Sequence, residues 1–327
     1  MMNVKKSVMV LMGLVCIFIA SSGWAQEGYP KKPITIVLTF PPGASMDLSN
    51  RMIAEKMERS LGQPVTILHK PGGAAMIAVN YVLNLPPDGY TILAGSNRGG
   101  MQIVRMLMSD CPYKPSDWTL LGTYYEYIYV LVCNKNLPVK DLRELRDYIK
   151  KNPGTTWASA GPGALMSYTG IFLLDKLGVG GLIEPVPYTS VATILPAVLG
   201  NHSQFGVVPF SSVISKHISG NELRALAVTG AKRHFALPEV PTAIEQGVEV
   251  DMTADGNFMV LAKTPTPIIK KLESTIEKIA QDKDLQGQLK QLYMTPKYYD
   301  SLTSKRLEDN FAKTIEPVVK KSGAKIE

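Results

Sequence analysis

The stretch 34–61 sets the pattern for the chain. It opens with ITIVLTF, in which Ile34, Ile36, Leu38 and Phe40 alternate with the residues between them. Period-2 alternation rich in β-branched residues predicts a strand entering a core. The turn PPGAS at 41–45 stops that strand. Leu48, Met52, Met57 and Leu61 then recur at four- or five-residue steps, which predicts a helix with these residues on one face. Asp47 lies near the helix start, where a carboxylate complements exposed N–H groups and the positive dipole end. A strand, a small-residue turn and a helix start together place backbone N–H groups at the strand's carboxyl end. Such a place holds an anion without a charged side chain.

The same device repeats along the chain. Strands are expected at 65–68 and 90–94, with the loops PGG at 71–73 and GSNRGG at 95–100, and a helix at 74–85. Alternating β and α at this spacing predicts a parallel, doubly wound sheet. The run TLLGTYYEYIYVLVC at 119–133 exceeds a usual strand, so two strands are expected there, the second leaving the first domain. After a helix marked by Leu142, Leu145 and Ile149, a second series begins. It places strands at 156–159, 183–186, 205–208 and 223–228, with loops at 161–163, 187–190 and 209–212 and helices at 165–177 and 191–199. Residues 257–261 read as a strand crossing back, and 266–282 and 303–320 as amphipathic helices. The expected fold is α/β with two doubly wound domains and an interdomain cleft. Domain 1 takes 26–126 and 255–327, and domain 2 takes 127–254.

Residues 1–25 stand apart. Lys5 and Lys6, an apolar run from Val8 to Ala20, and Gly23-Trp24-Ala25 read as a signal peptide cleaved after Ala25, which predicts export to the periplasm. Without Lys5 and Lys6 the formal charge of +7 falls to +5. The basic residues are scattered without interleaved aromatics, which argues against nucleic acid as a partner. Cys111 and Cys133 remain after cleavage. In an oxidising compartment they can pair, or they can serve as small buried hydrophobes.

Signals for chemistry are missing. No Gly-x-Ser-x-Gly elbow, phosphate loop or dinucleotide fingerprint occurs, and the four histidines show no ligand spacing. No cofactor, metal or catalytic residue is expected. Asp47 is the one candidate general base that can be placed near the cleft, and stabilising a helix start is its simpler role.

Three runs, YPKKPITIVLTFPPGASMD, LGQPVTILHKPGGAAMIA and PPDGYTILAGS, resemble the periplasmic solute-binding proteins of tripartite tricarboxylate transporters, the Bug proteins. LRALAVTGAKRHFALPEVPTAIEQG continues the resemblance, which covers nearly the whole mature chain. It implies a two-lobed type II (Venus flytrap) fold that is not an enzyme. It also implies capture of a small carboxylate through backbone N–H groups, and delivery to membrane permease subunits by a monomer. A binding protein reporting to a membrane sensor, or a periplasmic enzyme, are the competing readings. Pro42, Gly43 and Asp47 match the family's first loop, while Ala44 and Ser45 replace a glycine-rich pair. Ser96 fits the third loop, with Asn97 beside it, and Arg98 departs from it. Ser159, Gly161 and Gly163 fit in the second domain, and Ala164 and Ser167 replace a usual threonine and histidine. Tyr188 fits, Thr189 does not, and Val208 stands where many members carry an aspartate. Tyr188 and Phe210 are candidates for the ligand's carbon body. Gaining Arg98 adds a bidentate fork, and losing an acid at Val208 removes repulsion. Both favour an anionic ligand, a dicarboxylate included, over a zwitterionic amino acid.

Overall fold

Strand β1 (Ile34–Leu38) lies between β2 (Val65–His69) and β3 (Thr91–Gly95), parallel to both. These strands belong to a computed structural model that describes residues 28–95, 101–108, 111–161 and 164–322. The leader expected at 1–25 and the site residues Ser96, Asn97, Arg98 and Gly163 lie outside the described residues. Helix α1 (Ser45–Leu61) follows β1, and α2 (Met76–Leu83) follows β2. Helix α3 (Gln102–Leu107) follows β3. Ile34, Ile36 and Leu38 are fully buried on one side of β1 and Val37 on the other, so helices cover both sheet faces.

Strand β4 runs unbroken from Trp118 to Asn134. Two strands were expected at 119–133; there is one, and its partners change midway. From Trp118 to Ile128 it pairs antiparallel with β9 (Thr253–Leu261), which also pairs antiparallel with β3. From Tyr129 to Cys133 it pairs with β7 (Phe205–Pro209), and from Val130 to Asn134 with β8 (Leu223–Val228). The strand survives because its irregularities are bulges, between Leu120 and Gly122 and between Thr123 and Tyr125, which bend a ladder without ending it. Gly122 takes a φ of +124°, and a Cβ there would sit 2.9 Å from the Tyr299 carbonyl oxygen, so the bulge needs glycine.

Beyond β4 come α4 (Leu142–Lys151), β5 (Thr155–Ser159), α5 (Leu165–Lys176), β6 (Ile183–Pro187) and α6 (Val191–Leu199). Strand β5 is parallel to β6 and β7. Helix α7 (Ser212–Ser219) precedes β8. After β9 the chain forms α8 (Thr266–Ala280), α9 (Lys283–Gln291), β10 (Thr295–Tyr299) and α10 (Ser301–Ser322). Strand β10 pairs antiparallel with β4. Asp282 accepts the amides of Asp284 and Leu285, so the helix expected to end at 282 stops at Ala280 and a new one starts.

Leu48, placed by its spacing on the buried face of α1, is 40% exposed. The face turned inward carries Met46, Asp47, Ser49, Asn50, Ile53, Ala54 and Met57. Its polar members are tolerated because they are hydrogen-bonded. Tyr124 Oη donates to Asn50 Oδ1 (3.0 Å), Asn50 Nδ2 donates to the Met46 carbonyl (2.7 Å), and Tyr125 Oη donates to Met46 Sδ (2.6 Å). This network ties α1 to β4.

Asn50→Ala removes the acceptor of the buried Tyr124 hydroxyl. It is expected to lower unfolding free energy by about 1–3 kcal/mol in urea titration, and Tyr124→Phe in that background is expected to restore part of the loss.

Candidate functional site

The first half of the site is the turn from β1 to α1. Pro41, Pro42 and Gly43 are exposed, and Gly43 has a φ of +81°. Ala44 precedes the helix and brings no side-chain acceptor to its first turn. Among the described residues, no acceptor faces the amides of Ser45 and Met46. Gly43 is different. Its amide, expected to be offered to an anion, donates to Asp47 Oδ2 (2.8 Å). Asp47 is 2% exposed, and its Oδ1 meets His69 Nε2 (2.8 Å) at the end of β2 and Arg51 Nε (3.0 Å) one turn on. Burial pushes the Asp47 carboxyl up, but the Gly43 amide, His69 and Arg51 outweigh it and hold it below the usual carboxylate range. The Asp47 side chain therefore fastens the turn to β2. Arg51 at i+4 was legible as a partner; His69 was not, because only the fold brings the end of β2 beside the start of α1.

Strand β3 ends beside this turn: its Ala94 pairs with Leu38, and a Cβ at Gly95 would lie 3.5 Å from Thr39 Oγ1. The loop that starts there holds Ser96, Asn97 and Arg98, which lie outside the described residues.

The second half is the turn from β5 to α5. Ser159, 8% exposed, donates to Ser167 Oγ (3.1 Å), and the Ala160 amide donates to the same oxygen (3.0 Å). Gly161, with a φ of +77°, donates its amide to Ser159 Oγ at 3.4 Å. Ala164, like Ala44, stands before a helix with no acceptor on its side chain. The Tyr188 amide donates to the Ser159 carbonyl (2.7 Å), which brings the loop after β6 against the β5 turn. Thr189 beside it is exposed. Ser167, which stands where the family usually carries a histidine, joins the turn through its hydroxyl; its eight-residue separation from Ser159 carries no periodic signal.

Val208 and Phe210 lie deeper. Val208 is 1% exposed and pairs with Val130 of β4 inside a hydrophobic cluster. Phe210 is 3% exposed, edge-on to His234 at 5.0 Å and to Tyr293 at 5.1 Å. The side chain of each packs in the core. His234 is 3% exposed beside it, its Nδ1 accepting the Ala236 amide (3.2 Å), and burial pushes its pKa down to about 4.

Cys111 and Cys133 are both free, Cys133 being buried. Among the described residues, no group of His, Cys, Asp and Glu could hold a metal ion, and no helix is long and apolar enough to cross a membrane.

Parallel strands on either side of a shared antiparallel crossing, with helix starts at their carboxyl ends, define a two-domain α/β binding-protein fold of type II. The comparisons agree. The family described as tripartite tricarboxylate transporter family receptor matches residues 49–324. BugT of Bordetella pertussis is 31% identical over 84% of this chain and 85% of its own length. The structure of the periplasmic binding protein BugD superposes with a TM-score of 0.75 at 25% identity, covering 91% of this chain and all of BugD. Rpa4515 of R. palustris, solved with adipate, superposes with a TM-score of 0.77 at 24% identity, covering 91% of this chain and all of its own. The chain belongs to the tripartite tricarboxylate transporter receptor family, whose Bug members are periplasmic binding proteins.

His234 gives a pH signature. Below about 6.5 the unfolded chain takes up a proton that the folded chain refuses until about 4, so stability falls as pH drops through that window. Comparing urea unfolding of the parent with His234→Asn between pH 7 and pH 4 is expected to show the difference shrinking by on the order of 3 kcal/mol.

Proposed function

We propose that this protein is the solute receptor of a tripartite-type transporter, capturing a small organic carboxylate between its two domains and delivering it to membrane permease subunits. The observation that carries the reading is the pair of helix starts, α1 and α5, each preceded by an alanine that offers no cap. First-turn amides that no acceptor among the described residues takes up suit a ligand oxygen. Family membership supports transport, and the adipate in Rpa4515 supports a carboxylate as cargo. Domain 1 is taken as 26–126 with 255–327, and domain 2 as 127–254. The change of partners on β4 between Ile128 and Tyr129, and the start of β9 at Thr253, support those bounds. Residues 1–25 are the export leader, and the mature receptor works as a monomer.

The ligand is held by Pro42, Ala44, Ser45 and the 96–98 loop on one side, where Gly43 sets the turn through its bond to Asp47, and by Ser159, Gly161, Gly163, Ala164, Tyr188 and Thr189 on the other. Asp47, Val208 and Phe210 shape this site from beneath. A ligand that bridges the two domains shifts the population towards the closed form by its differential affinity for that form. Turnover is disfavoured because the carboxylate oxygens of Asp47, the candidate base, are taken up by the Gly43 amide, His69 and Arg51, which also make it a weaker base.

A thermal-shift screen of mono-, di- and tricarboxylates tests the reading. A true ligand at 100 times its dissociation constant adds roughly 2.7 kcal/mol. A panel without any shift would refute carboxylate capture. Arg98→Ala is expected to weaken the best acid about tenfold or more; unchanged affinity removes Arg98 from the site.

A further inference from the structure

A groove leaves the second half of the site and runs between α5 and the edge strand β6. It encloses about 330 Å³. Its residues fall in the same order on every element that forms it. At the site end stand Ser159, Gly161 and Ser167, and at the far end Asp175, Gly180 and Ser322. Between them, β6 contributes Ile183, Pro185 and Pro187, and α5 contributes Ile171 and Leu174. Eight residues of helix and four of strand both give a length of about 12 Å.

The walls are apolar and the mouth is polar. Trp157 forms the floor: it pairs with Pro185, and its ring lies so close to α5 that a Cβ on Gly170 would meet it at 2.3 Å. Prolines at 185 and 187 have no N–H to offer, so the edge of β6 cannot add a further strand by regular pairing there. At the mouth, Ser167 is 3% exposed and accepts two hydrogen bonds, from Ser159 Oγ and the Ala160 amide. Among the described residues no acceptor takes its own hydroxyl hydrogen, and the hydroxyl stands at the polar end of a hydrocarbon channel. The far end is closed by charge: Asp175 is paired with Lys321 of α10 at 2.8 Å.

We infer that this groove receives the carbon chain of the ligand, whose carboxylate is held at the mouth by Ser167 and the first turn of α5. The ligand class is then an amphiphilic organic acid with a hydrocarbon chain of several carbons. The inference rests on the carboxylate reading above and narrows it. Chain burial has a size: each methylene removed from water is worth about a three- to fourfold gain in affinity.

Calorimetric titration with acetate, butanoate, hexanoate and octanoate tests it. Parent protein is expected to bind more tightly with each added pair of carbons until the groove is full. Ile171→Trp narrows the groove from the helix side and Ile183→Trp from the strand side. In either variant the gain with chain length is expected to vanish while acetate affinity stays at the parent level. Ser167→Ala is expected to weaken every acid about equally. Short acids that bind with no dependence on chain length would overturn the groove and leave the carboxylate receptor standing. A length dependence that persists in both tryptophan variants would also overturn the groove. No binding by any of these acids or by short diacids would overturn both readings together.

Discussion

Seventeen residues of continuous strand, Trp118–Asn134, are hydrogen-bonded to β7, β8, β9 and β10. Both sheets hang from this strand. Because backbone pairing on β4 passes from β9 to β7 and β8 without a break, the turns of the two domains are referred to one continuous element. Tyr125, Tyr127 and Tyr129 line the change-over, their rings 6.5 and 5.9 Å apart in succession. Loss of register on β4 would reverse its inward and outward residues in both cores at once. The bulges around Gly122 and Thr123 supply the bend that a straight ladder of this length lacks.

From that frame follows a division of labour at the first turn. Asp47 consumes one donor of the turn, the Gly43 amide, and with His69 and Arg51 it fixes where the remaining donors point. A carboxylate buried here is an internal stand-in for the anion that the helix start attracts, placed within the first turn. The second turn uses hydroxyls instead: Ser159 and Ser167 tie the loop amides of Ala160 and Gly161 together without any charge. The two halves therefore differ electrostatically. The first is already balanced by an acid, and the second has no ionised group in its hydrogen-bond set, which suits it to a neutral carbon chain behind a single carboxylate.

Much of this was legible in the chain. The strands at β1, β5, β7 and β8 announce themselves through alternation or short β-branched runs, and the helix α6 through an apolar run between loop signals. Leu48 misled because periodicity counts apolar residues, whereas the inward face of α1 is partly polar and held by Tyr124 and Tyr125 from a strand some 75 residues later. Strand β10 was hidden by Pro296, which normally demotes a strand, yet edge pairing with β4 tolerates it. Val208 and Phe210 sit at the end of a parallel strand, where site residues gather. Sequence offers no way to tell a side chain facing the cleft from one facing the core by position alone. The partnership of His69 with Asp47 was invisible for the same reason: it depends on a contact between elements.

The central claim is that backbone donors at two helix starts grip one acid. Titrating isotope-labelled protein with adipate and following backbone amide resonances tests it most directly. The account predicts that Ser45, Met46, Leu165 and Met166 shift together along one binding curve, with the Gly43 amide moving little because Asp47 holds it. Shifts confined to one domain, or absent from all four amides while adipate binds, would contradict it.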